Sequence, residues 1–121
     1  MLGAITGDVV GSVYEWNNIK HKDFKPLFSQ RAFFTDDSVL TVALMDAIDR
    51  SVSYDTVMRW YYEQHPHAGY GHRFHHWCKY ETELPYNSWG NGSAMRTSAV
   101  GYAYDTIEEV LEKAEHFASF T

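Results

Sequence analysis

Cysteine is nearly absent. Cys78 stands alone among 121 residues, so no disulfide can form within the chain, and the expected setting is a reducing one, the cytoplasm. Long apolar runs are missing too. No stretch approaches the roughly 20 uncharged residues of a membrane helix, and the mean hydropathy is −0.42, so no membrane role is expected. The opening Met1-Leu2-Gly3-Ala4-Ile5 has no basic leader and Asp8 interrupts its apolar stretch, so a signal peptide is not expected either. Bases are the third shortage: 10 against 16 acids, for a net charge of −6. Such a surface repels phosphate backbones, which argues against direct nucleic-acid binding. It is compatible with cation binding, or with docking on a basic protein surface.

Apolar residues are plentiful by contrast, at 45% with 17% aromatic, enough for one packed core and one domain spanning 1–121. Their period is helical. Residues 2–16 carry Leu2, Ile5, Val9, Val10 and Val13 with Gly3, Gly7 and Gly11 at four-residue spacing. Each helical glycine costs about 1 kcal/mol, so close approach of a helix or ligand is expected there. Residues 36–50 show an i, i+3, i+4 stripe through Val39, Leu40, Ala43, Leu44, Ala47 and Ile48. Ser53 reads as the cap of a third helix with Val57, Trp60 and Tyr61 on one face. Residues 69–80 are ambiguous, 85–92 read as a loop, and a helix is expected over 93–104. Asp105 and Glu108 read as a capping box opening a last helix through Val110, Leu111, Ala114 and Phe117. Period-two alternation is nearly absent, so the fold class is all-α.

Three short segments carry chemistry. Phe34-Thr35-Asp36-Asp37-Ser38 places adjacent carboxylates at a helix mouth. Their repulsion raises a pKa or calls for a cation between them, and a hydroxyl beside two carboxylates is an oxygen-rich set suited to Mg2+. The plainer reading is an N-cap with acids at the positive end of the dipole. Gly90-Asn91-Gly92-Ser93-Ala94-Met95-Arg96 reads as a phosphate cradle with a cation, or as a loop entering a helix capped by Ser93. In Gly3-x-x-x-Gly7-Asp8-x-x-Gly11-Ser12-x-x-Glu15, the acid ending the helix either reaches a pocket or is solvated.

In this order and spacing the three segments resemble the ADP-ribosylglycohydrolase family, over essentially the whole chain. The resemblance implies an all-helical bundle around a cleft holding paired Mg2+ ions, of which this chain matches the N-terminal half. By motif match, Thr35, Asp36 and Asp37 would be metal ligands, and Glu15, Asp36 and Asp37 the catalytic set. Gly90, Asn91, Gly92, Ser93, Met95 and Arg96 would bind the phosphates or ribose of ADP-ribose. The implied reaction is hydrolysis of a glycosidic bond to ADP-ribose through an oxocarbenium-like transition state. Family members are longer and carry a second Asp-x-Asp-Thr/Ser element that this chain lacks, and Ala99 stands where proline is usual.

The resulting expectation is a shortened family member without hydrolase activity by itself. It would act by binding a protein partner or an ADP-ribose-type nucleotide, in the manner of a phage or mobile-element inhibitor of host defence. The alternative is a Mg2+-dependent hydrolase completed by a second chain or by homodimerisation. Aromatics across residues 60–89 are expected partly in the core and partly on a patch that self-associates or meets a partner. His72-x-x-His75-His76 has transition-metal spacing but no evident completing ligand.

Overall fold

A computed structural model describes residues 1–80 and 84–121. Among them there are helices and turns and no strand, in the order α1 (Leu2–Gly11), a 3-10 turn (Ser12–Tyr14), α2 (Asp36–Arg50), α3 (Tyr54–Gln64), α4 (His72–Lys79), α5 (Gly92–Arg96), a second 3-10 turn (Thr97–Ala99), α6 (Val100–Ala103) and α7 (Ile107–Ala118). None of these helices is long and apolar enough to cross a membrane. The all-α expectation holds.

α2 is the axis of the bundle, and its sequence explains why. Thr35 caps its start, accepting a hydrogen bond from Asp37 N; Asp36 and Asp37 sit at the positive end of the dipole and Arg50 at the negative end. Ser51, left-handed at φ 51°, closes it with bonds back to Ala47 O and Ile48 O. Its stripe of Leu40, Ala43, Leu44 and Ala47 is buried against Tyr54, Val57, Met58 and Tyr62 of α3, and Phe74, Trp77 and Cys78 of α4 join the same core. Phe117 and Phe120 close the far side, both edge-on to Tyr54 at 5.7 and 5.6 Å.

Several boundaries differ from the sequence reading, each for a local reason. The first helix stops at Gly11, and the 3-10 turn that follows carries the chain toward Glu15. Ser53 stands at the N-cap of α3 but its hydroxyl donates to the Asp55 carboxylate rather than capping the backbone. On α3 the buried face is Tyr54, Val57, Met58 and Tyr62, which leaves Trp60 half in water. The expected 93–104 helix is broken into α5, a 3-10 turn and α6. The last capping box is one residue later than expected, at Thr106 and Glu109, where a hydroxyl and a carboxylate exchange backbone bonds. Leu111 lies outward on α7 while Val110, Ala114 and Phe117 pack inward.

The glycine stripe departs most. A Cβ added at Gly3, Gly7 or Gly11 would meet nothing within 4 Å, so no described residue makes the close approach the spacing suggested. No residue of α1 is buried.

Candidate functional site

The acid corner is built around Asp8. Its carboxylate accepts four hydrogen bonds: from Thr35 N at 2.8 Å, Thr35 Oγ1 at 2.6 Å, Ser38 N at 3.2 Å and Ser38 Oγ at 2.5 Å. α1 is thereby pinned to the first turn of α2. Ser12 adds a second stitch, donating to Val9 O and accepting from Phe33 N at 3.1 Å. The sequence motif alone assigns Asp8 no task. The signal was there, since an acid four residues from a motif serine lies on one helix face.

Asp36 and Asp37 stand beyond this knot. Burial, then the neighbouring Asp37, then Glu15 and Asp8 push the Asp36 carboxyl up to about 6. Asp37 is raised as well, by burial first and then by Asp8 and Glu15, with its bond to the Thr35 cap working the other way. Glu15, though exposed, therefore lies within electrostatic reach of both aspartates. The next loop closes on Asp36: its N–H donates to Ala68 O at 2.7 Å. Gly69 follows at φ +98°, where a Cβ would come within 3.7 Å of Asp36 Oδ1. A left-handed glycine suits that turn because other residues are strained there. Tyr70, also in this loop, has a buried hydroxyl with no hydrogen-bond partner among the described residues.

Asp36 shares a cavity of about 300 Å³ with the glycine loop, near the lower end of the size range of ligand sites. Gly90, Asn91 and Gly92 line it, as do Met95 and Arg96, and α4 contributes His72, Arg73 and Phe74. Tyr86, Ser88 and Trp89 complete the wall. Glu15, Thr35, Asp37 and Ser93 lie off the lining. Arg96 is 1% exposed. Its guanidinium donates to Phe117 O and Thr121 Oγ1, both at 3.1 Å, and lies 5.5 Å over the Tyr54 ring. Ser88 N donates to Thr121 O at 2.7 Å. Arg96 thus ties the cavity loop to the end of α7, a long-range role that local spacing cannot reveal. The three histidines part company: His75 meets the Tyr62 hydroxyl at 2.7 Å, His76 lies against the Tyr80 ring, and His72 faces the cavity.

The family model for ADP-ribosylglycohydrolase matches residues 1–121. The chain belongs to this family. Mouse (Mus musculus) ADP-ribosylhydrolase ARH3 is similar to it at 26% identity over 155 aligned positions, covering 100% of this chain and 42% of its own length. The chain therefore spans less than half of that relative.

ADP-ribosylglycohydrolases are metal-dependent, and the corner fits such an ion in part. Two carboxylates raised by burial and by neighbouring acids are a pair that a divalent cation would relieve. Thr35 Oγ1 is already donating to Asp8 and accepting from Asp37 N. Among the described residues no group of three His, Cys, Asp or Glu side chains is arranged to hold a metal. Asp36 and Asp37 are the pair that would contribute, with water filling a Mg2+ octahedron.

Proposed function

We propose that this ADP-ribosylglycohydrolase domain binds an ADP-ribose-type nucleotide in the cavity between Asp36 and the 90–92 loop, and acts by that binding without turnover of its own. The observation that carries the reading is the shared wall: the first acid of α2 and the glycine loop, 54 residues apart in sequence, line one cavity. Backbone N–H groups of the loop suit phosphate, and Asp36 suits a ribose hydroxyl as acceptor. Mg2+ held by Asp36 and Asp37 would supply a Lewis acid beside the ribose. The chain's own residues shape the pocket, accept hydroxyl protons in hydrogen bonds and exclude water along the Phe74, Tyr86 and Met95 side.

Calorimetric titration with ADP-ribose in Mg2+ tests this. Saturable binding is expected, with loss in Gly92→Val, where a Cβ meets no protein atom and the side chain would fill the pocket rather than disturb the fold. No binding by the parent chain would end this reading. Turnover has its own assay: Mg2+-dependent release of ADP-ribose that vanishes in Asp36→Ala would replace binding with hydrolysis.

A second reading has an observation of its own. α1 leaves its glycine stripe open, with Leu2 82% exposed, and Trp16, beyond the turn that follows, is 86% exposed. A partner protein or a second copy docked on such a face would cover it, and one that also brought acids to Asp36 and Asp37 would complete a hydrolase. The same face would serve an inhibitor that acts by docking. Light scattering across protein concentrations reads self-association directly.

A further inference from the structure

The chain has a net charge of −6, yet the cavity wall runs the other way. Its lining holds one acid, Asp36, against His72, Arg73 and Arg96. A wall whose charge is opposite to that of the whole surface focuses field toward an anionic ligand. Of these bases, Arg96 is buried and tied to the end of α7, which leaves Arg73 as the exposed guanidinium at this wall.

Arg73 is also held in place. One of its nitrogens donates to Tyr86 O, and its guanidinium lies 5.0 Å over the Tyr86 ring. No carboxylate among the described residues pairs with it. A guanidinium presents five N–H donors in a rigid fork, so most remain available on a group whose orientation is already fixed. Trp89, 97% exposed, lines the same cavity.

We infer that Arg73 is the specificity-determining residue of this cavity: it holds a phosphate or pyrophosphate group on the α4 wall, with His72 beside it. The Asp36 carboxylate repels that group and accepts from the uncharged hydroxyls of the same ligand. The ligand is thereby oriented, anion toward α4 and polyol toward α2. This rests on the cavity being the ligand site of the proposed function, and it selects the anion rather than the nucleoside.

The experiment titrates the full chain, by calorimetry, with inorganic pyrophosphate, ADP-ribose and adenosine. Arg73→Gln is expected to weaken pyrophosphate and ADP-ribose by about tenfold or more, as for loss of a charge-assisted bidentate contact, and to leave adenosine unchanged. Arg73→Lys should recover part of the affinity, because a point charge replaces the fork. Circular dichroism confirms that both variants fold as the parent does. Pyrophosphate binding that is absent in the parent, or equal in parent and Arg73→Gln, overturns the assignment. ADP-ribose binding independent of Arg73 overturns it while sparing the proposed function. Arg73-dependent pyrophosphate binding without ADP-ribose binding does the reverse.

Discussion

α1 brings Asp8, and the turn after it leads to Glu15, without burying one residue of the helix. α2 brings Asp36 and Asp37 and buries seven residues from Ser38 to Ala47. The two segments supply the same kind of side chain to the same corner by opposite means. α2 is placed by the core, so its acids inherit the stability of the whole domain. α1 is placed chiefly by one carboxylate and one serine hydroxyl. Geometry at the corner therefore rests on four hydrogen bonds to Asp8 and one to Ser12, and Asp8 is the place to break it.

The largest effect is expected on the core side. Leu44 is 0% exposed between α2 and α3, and Leu44→Ala should cost about 2–5 kcal/mol. Denaturant melts should show one transition shifted for the entire chain. A shift under 1 kcal/mol would mean that α2 is not the axis described.

Asp8→Asn comes next and should act locally. The amide keeps one acceptor and turns donors toward the Thr35 and Ser38 donors, leaving part of a buried set unpaired at about 1–3 kcal/mol. Hydrogen exchange should quicken in residues 2–11 while α2 and α3 keep their protection. Unchanged exchange in α1 would show that something besides Asp8 holds it.

Asp36 sharpens the comparison through pH. Its folded pKa of about 6 stands above the ordinary value of 3.8, so the unfolded chain releases this proton first as pH rises. Stability is therefore highest below the unfolded value, falls between the two, and is fully reduced above about 6. Asp36→Asn removes the titration, and its melting advantage over the parent should grow from pH 4 to 6 and then level off. An advantage that is flat across this range would contradict the burial of Asp36.

These contrasts also explain what was legible in the sequence. The α2 stripe, the Thr35 cap and the three motif segments were readable because each depends on neighbours within a turn or two. The joining of Asp36 to the 90–92 loop was reachable only through resemblance, since 54 residues separate them. Arg96 reads as a ligand residue from its place in a glycine loop; that it also donates to Phe117 and Thr121, 21 and 25 residues on, is not legible from local spacing. Arg73 carries no signal of its own in the sequence, because the 69–80 segment around it reads as ambiguous aromatic sequence. The capping box was misplaced by one residue because Asp105-x-x-Glu108 and Thr106-x-x-Glu109 match the same spacing, and only backbone angles separate them.

The smallest expected effect tests the open face of α1. Gly7 is helical, and a Cβ there meets nothing within 4 Å. In the chain as it stands, Gly7→Ala removes a flexible residue from a helix interior and should stabilise by up to about 1 kcal/mol. If a partner helix or a second copy covers this face, the methyl intrudes on the close approach that glycine permits. The two situations give opposite signs in one variant. Thermal melts of the isolated chain should rise slightly, and at protein concentrations where light scattering finds a dimer, the dimer fraction should fall. A variant that melts lower with no partner present would show that α1 is already packed against the chain, and that its stripe is not a free surface.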